Sequence, residues 1–226
     1  HNNAFAKLGL NYAYLAFEID NDKLEKAVDA IRTLDMRGSN VSMPNKQKII
    51  PYLDKLDPAA KMAGAVNTVV NDNGVLTGYT TDGTGFMKSL ADEGLDIRGK
   101  KMTLAGAGGA GTPIAIQAAL DGVKEISIFN LDDAQWEQAE KNVEIINRET
   151  DCKATLHHLE DKEDFKKEIA SSYIYCDATG VGMKPLEDMT LVEDPSWFHK
   201  DMIVFDTVYA PRETKLMKVA KEAGVD

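Results

Sequence analysis

Cysteine, positive charge and long apolar runs are all scarce in this chain of 226 residues. Its two cysteines, Cys152 and Cys176, form no Cys-x-x-Cys pair, which excludes a disulfide scaffold and gives no zinc-ligand spacing. We therefore expect no metal site and a reducing, cytoplasmic setting. Twenty-six Lys and Arg stand against 37 Asp and Glu, a net charge of −11. Nucleic acid and anionic membrane both require a basic face, so neither is an expected partner. A small anionic ligand is not excluded, because one local pocket can oppose the global field. No apolar run reaches the roughly 18 residues of a membrane span, and no signal-peptide core opens the chain. Aromatic residues are only 7%, but the apolar fraction of 43% is near the globular average and is enough for a packed core.

Two patterns meet near residue 85. Before it, short β-like runs alternate with helical ones. Tyr12–Phe17 reads as a strand, and Asn21–Leu34 as an amphipathic helix with Leu24, Val28 and Ile31 on one face. Asn40-Val41-Ser42 is a short strand stopped by Pro44, and Lys46–Leu53 suits a helix with Pro51 at a kink or end. Val66–Val70 and Val75–Tyr79 flank Asn73-Gly74, a strong hairpin signal. After residue 98 strands and helices alternate strictly. Strands are expected at Met102–Ala105, Glu125–Phe129, Ala154–Leu159, Ile174–Ala178 and Met202–Asp206. The helices between and after them run near Pro113–Leu120, Ala134–Asn147, Lys162–Ser171 and Glu213–Ala223. Crossovers of that length imply a parallel sheet covered on both faces. A doubly wound dinucleotide fold normally has six strands, and Val225-Asp226 looks like the start of the sixth. The span 131–168 holds twelve acidic and six basic residues and reads as a solvated helical face.

Gly106-Ala107-Gly108-Gly109-Ala110-Gly111 satisfies G-x-G-x-x-G between a strand and a helix, the context in which the pattern binds a dinucleotide. The first glycine permits the tight turn, the second admits a pyrophosphate, and the third lets helix and strand pack. An acidic residue at the end of the next strand selects NAD, whereas an Arg there accepts the 2′-phosphate of NADP. This chain reads Asn130-Leu131-Asp132-Asp133, with no Lys or Arg before Lys141. A phosphate dianion beside Asp132 and Asp133 is repelled, so NAD is favoured and NADP is the alternative. Both aspartates also suit capping of the helix that follows.

Three polar strand ends remain. They are Asn40-Val41-Ser42-Met43-Pro44-Asn45-Lys46, Gly64-Ala65-Val66-Asn67-Thr68 and Thr81-Asp82-Gly83-Thr84-Gly85. Convergence on a cleft would give a Lys–Asp pair suited to proton transfer at an alcohol or ketone. With Gly106–Ala110 and Tyr209-Ala210-Pro211-Arg212-Glu213-Thr214, they stand in the order found in the shikimate dehydrogenase family, which the chain resembles over essentially its whole length. Phe129-Asn130 and Gly180-Val181-Gly182-Met183-Lys184-Pro185 are more similar to its quinate/shikimate branch.

The resemblance implies an α/β chain of two domains. Residues 1–84 would form an N-terminal α/β substrate domain, and residues 85–226 a Rossmann-type, doubly wound parallel-sheet dinucleotide domain. It implies reversible hydride transfer between shikimate and 3-dehydroshikimate, a step toward chorismate and the aromatic amino acids. Lys46 and Asp82 fall on the catalytic pair, Ser42 and Asn67 on substrate contacts, and Tyr209 on a tyrosine near the substrate. Gly106, Ala107, Gly108, Gly109, Ala110, Asn130, Asp132 and Asp133 fall along the cofactor, with Gly182 and Met183 near the nicotinamide. Thr81 replaces the family's usual Asn. The family's Ser-x-Ser carboxylate contact would lie upstream of His1, and its ring-hydroxyl Gln beyond Asp226, so fragmentary coverage is expected. A quinate-preferring dehydrogenase and a non-catalytic sensor of these acids remain as alternatives. The expected assembly is a monomer or homodimer.

Overall fold

The computed structural model describes residues 1–133 and 135–225. The first half runs α1 (Asn2–Lys7), α2 (Leu24–Thr33), β1 (Gly38–Asn40), α3 (Asn45–Lys48), β2 (Lys55–Leu56), α4 (Pro58–Ala63), β3 (Thr68–Asp72), β4 (Val75–Tyr79) and α5 (Asp82–Asp92). Its sheet has the order β1-β3-β4-β2, antiparallel except where β2 joins β4. Leu24, Val28 and Ile31 recur at helical spacing on α2 and close over Val66, Val69 and Leu76. Asn73 and Gly74 both have positive φ, 54° and 89°, so the β3–β4 turn twists with its strands.

The second half runs β5 (Lys101–Ala105), α6 (Gly111–Leu120), β6 (Glu125–Asn130), α7 (Trp136–Glu149), β7 (Lys153–His158), α8 (Lys162–Ala170), β8 (Ile174–Asp177), β9 (Ile203–Asp206) and α9 (Lys215–Ala223). These five strands are parallel in the order β7-β6-β5-β8-β9. The chain leaves β5 toward β6 on one side and β8 lies on the other, which opens a switch-point crevice at the strands' C-terminal ends. Met102 to Ala105 are all buried, as a strand covered on both faces requires.

The two halves meet where α5 crosses α6. A Cβ at Gly83 would lie 2.2 Å from the Pro113 carbonyl oxygen and 2.5 Å from Gln117 Cβ. Glycine is thus the side chain that lets α5 touch α6. Phe86 and Leu90 of α5 and Ala59 of α4 join Ile114, Ala115 and Ala118 of α6 in one core.

Two expectations need correction, and two more fall on residues outside those described. Tyr12–Phe17 forms no strand: Tyr12, Tyr14, Leu15 and Phe17 are exposed and pair with no described strand, and a side-chain pattern alone supplies no ladder partner. Its tether is side-chain, with Asn2 bonded to the Tyr14 backbone and the Tyr14 hydroxyl donating to Asn40 Oδ1 at 3.1 Å. Lys46–Leu53 is a four-residue α-helix followed by a 3-10 turn at Ile50–Tyr52, because Pro51 supplies no N–H to continue. Val225 is irregular and buried, while Asp226, on which the sixth-strand expectation falls, and Ala134, the expected start of α7, lie outside the described residues.

Candidate active site

The three polar strand ends do converge. Asn40, Val41, Ser42, Met43, Lys46, Asn67, Thr81 and Asp82 line one cleft of about 600 Å³. Asn67, just before β3, is fastened by its backbone: its N–H donates to Tyr79 O at 2.9 Å and its carbonyl accepts from Val41 at 2.8 Å. Its amide oxygen accepts from the Thr81 N–H (3.1 Å), the Thr81 hydroxyl (3.2 Å) and the Thr68 hydroxyl (3.0 Å). That fixes which way the amide points, so Nδ2 faces Asp82 and donates to Oδ1 at 3.3 Å. Thr81, the departure from the family pattern, is thus one of the residues that orients Asn67.

Lys46 lies in α3, a single turn held to the segment before β3 by the bond from Val66 N–H to the Lys46 carbonyl at 2.8 Å. The residue is half-buried, and its ammonium has no hydrogen-bond or ion-pair partner among the described residues. Asp82 is exposed in the first turn of α5, where the helix dipole favours a carboxylate. A cation without a partner among the described residues and an anion therefore line the same cleft. Ser42 is exposed at the rim, its hydroxyl directed to the Met43 carbonyl at 3.5 Å.

The glycine turn sits across the α5–α6 contact. Gly106 has φ +91°, and a Cβ there would press on Ala178 O at 3.0 Å. A Cβ at Gly111 would lie 1.9 Å from Gly106 O, so the third glycine seats α6 on the turn. At Gly109 a Cβ would meet nothing within 4 Å, and at Gly108 only Gln135 Oε1 at 3.2 Å. The N–H groups of Gly108 and Gly109 have no acceptor among the described residues. Open space, unpaired donors and the N-terminus of α6, led by Ala110, fit the pyrophosphate of a dinucleotide. Asn130, buried at the end of β6, shapes this cradle: its Oδ1 accepts from the Ala107 N–H at 3.0 Å. Asp133 is an exposed turn cap, accepting from the Gln135 N–H at 2.8 Å, while Asp132 is exposed beside it.

Gly182 and Met183 lie in the turn after β8, whose first residues Ala178 and Thr179 pack against Gly106. Gly182 is buried at φ +97°, and Met183 is exposed. Tyr209, in the β9–α9 connection, is 89% exposed and does not line the cleft. Two carboxylates at this end escaped the sequence reading, the buried Asp177 ending β8 and the half-buried Asp206 ending β9. Burial pushes the Asp177 carboxyl up to about 6, against the bonds from Thr179 that lower it, with the Asp206 charge adding to the rise. Burial likewise raises Asp206. Among the described residues no group of His, Cys, Asp and Glu is suited to a metal ion, and no helix is long and apolar enough to cross a membrane.

A Rossmann-like sheet with an open glycine cradle, packed through α4 and α5 against a Lys–Asp cleft, defines a two-domain α/β dinucleotide enzyme. Residues 1–69 match the family described as the shikimate dehydrogenase substrate binding domain. Over 226 residues the chain is 62% identical to the Streptococcus uberis protein named shikimate dehydrogenase (NADP(+)), covering 99% of this chain and 77% of that one. It is 59% identical over 224 residues to a Listeria monocytogenes protein of the same name, with the same coverage of each. A solved structure of shikimate 5-dehydrogenase from Listeria monocytogenes in complex with shikimate and NAD is similar at a TM-score of 0.96 and 58% identity, over 100% of this chain and 78% of that chain. The chain belongs to the shikimate dehydrogenase family.

Proposed function

We propose that the protein is a shikimate dehydrogenase, interconverting shikimate and 3-dehydroshikimate, with residues 1–84 on the substrate side and residues 85–226 on the dinucleotide side. The observation that carries this reading is the cleft in which Lys46, Asp82, Asn67 and Ser42 meet, on elements packed against the helix of the glycine turn. When bound, the nicotinamide dinucleotide accepts or returns the hydride. Lys46 hydrogen-bonds the reacting hydroxyl and stabilises the alkoxide as its proton departs, and Asp82 receives or relays that proton. Asn67, with its oxygen saturated, offers Nδ2 to a ring hydroxyl. Ser42 contributes a second hydroxyl contact at the rim. Tyr209 would reach substrate only with movement of its connection, and Met183 would flank the nicotinamide.

Cofactor choice rests on the end of β6. The relatives carry NADP(+) in their names, whereas the similar solved structure binds NAD. Here Leu131, Asp132 and Asp133 are exposed, with no Lys or Arg from Asn130 until Lys141, which favours NAD over NADP. Quinate shares the ring, the carboxylate and the vicinal hydroxyls, so it is the second substrate to test.

Reduction of NAD and of NADP, each with shikimate and with quinate, tests the reading by absorbance of the reduced nicotinamide. NAD-dependent oxidation of shikimate is expected. A strong NADP preference would overturn the charge argument at Asp132 and Asp133, and absence of turnover with every pair would overturn the dehydrogenase.

A further inference from the structure

β8 and β9 both end in aspartate, and their parallel register sets Asp177 directly opposite Asp206. Neither carboxylate makes an ion pair with a described residue, and each instead organises the loop that follows it. Asp177 Oδ1 accepts from the Thr179 N–H at 2.9 Å and the Thr179 hydroxyl at 2.6 Å, and Oδ2 accepts from the Tyr175 hydroxyl at 3.2 Å. Thr179 Oγ1 then accepts from the Val181 N–H at 3.2 Å, passing the constraint to the turn that carries Gly182 and Met183. Asp206 Oδ1 accepts from Val208 N–H at 2.9 Å, and its Oδ2 accepts from the Thr214 hydroxyl at 2.6 Å, the N-cap of α9. The two relays meet, because a Cβ at Gly182 would lie 3.5 Å from Thr214 Cβ. On the other side, Ala178 and Thr179 bear directly on Gly106. The 177–183 segment is therefore wedged between the pyrophosphate turn and the α9 cap.

We propose that Asp177 is a positioning residue for the cofactor: acting through Thr179, it sets the 180–183 turn against the Gly106 turn and so orients the nicotinamide end of the bound dinucleotide. An ionised carboxyl group excluded from water and without a cation is costly unless hydrogen bonds hold it. Retaining one here, held by three donors, fixes the turn through the two from Thr179 rather than by packing alone. The proposal rests on the dehydrogenase reading, in which Gly182 and Met183 flank the nicotinamide.

The test compares Asp177→Ala, Asp177→Asn and Thr179→Val, each checked for folding by thermal melting, in shikimate oxidation and in binding of NAD and of ADP-ribose. Asp177→Asn keeps an acceptor for Thr179 and presents Nδ2 to the Tyr175 oxygen, so it should behave nearly as the unaltered protein. Asp177→Ala and Thr179→Val should raise KM for NAD and lower kcat, together on the order of tenfold to a hundredfold in kcat/KM. Their affinity for ADP-ribose, which lacks nicotinamide, should not change. Equal impairment of the Ala and Asn variants, equal loss of NAD and ADP-ribose binding, or unaltered kinetics in both folded variants would each overturn the proposal. If Asp177→Ala does not fold, Thr179→Val decides alone. Unaltered protein that binds NAD but never oxidises shikimate would overturn the proposed function, and the binding comparison would still decide the role of Asp177.

Discussion

Replacing Gly83 by alanine should damage catalysis far more than stability. Position 83 is in the first turn of α5, and in an open helix the change would be stabilising by about 1 kcal/mol. Here the added Cβ would fall 2.2 Å from Pro113 O and 2.9 Å from the Pro113 carbonyl carbon, both backbone atoms of α6. Restoring ordinary contact at 3.4 Å from the present 2.2 Å takes a separation of about 1.2 Å at that point. Overpacking of this kind costs about 1–3 kcal/mol, so the net destabilisation should be about 0–2 kcal/mol. Asp82 adjoins position 83, and α6 carries the glycine turn, so the displacement opens directly between the carboxylate and the dinucleotide cradle. A misplacement near 1 Å costs on the order of a hundredfold in rate. Steady-state kinetics with a thermal melt of the same preparation checks this. A Gly83→Ala variant that melts like the unaltered protein, with kcat within twofold, would refute the claim that the α5–α6 contact sets the geometry of the site.

Lys46→Ala should lower kcat about 10²–10⁴-fold while leaving NAD affinity, read by fluorescence titration, unchanged; equal losses in both would remove its assigned role. Asp132→Arg should improve kcat/KM for NADP by about tenfold, measured against NAD in the same assay, because it supplies a cation for the 2′-phosphate. Asp177 should also leave a mark on the pH dependence of stability. Its folded-state carboxyl titrates at about 6, above the ordinary 3.8, among Asp206, the Tyr175 hydroxyl and the Cys176 thiol. Its contribution is therefore fully present below pH 3.8 and is lost as pH rises through 6, on the order of 3 kcal/mol in all. Melting temperatures between pH 4.5 and 7 should fall less steeply with rising pH in Asp177→Asn than in the unaltered protein; identical slopes would contradict the buried charge.

The dinucleotide half was legible because its signals are local. Met102 to Ala105 read as a doubly covered strand, and the glycines after it are needed for reasons internal to one turn. The Lys46, Asn67 and Asp82 segments were legible as polar strand ends, and the structure gathers them into one cleft. In the first half, Tyr12–Phe17 misled because alternation reports side-chain pattern and not whether a neighbouring strand exists to pair with. α4 was missed although its signals were present: Asp57 caps it by accepting from the Ala60 N–H at 2.8 Å, Pro58 opens it, and Gly64 closes it at φ +61°. The importance of Gly83 was beyond sequence, since it depends on which helix lies across it. Asp177 and Asp206 each end an apolar run, Ile-Tyr-Cys-Asp and Ile-Val-Phe-Asp, but their pairing emerges only from the parallel register.

The central claim is direct hydride transfer between substrate and nicotinamide in the Lys46–Asp82 cleft. Shikimate carrying deuterium on the carbon that bears the reacting hydroxyl tests it most directly, with the reduced dinucleotide recovered for mass analysis. The account requires NADH heavier by one mass unit, together with loss of that product in Lys46→Ala. Reduced dinucleotide without the label, or label transfer undiminished in Lys46→Ala, would contradict it.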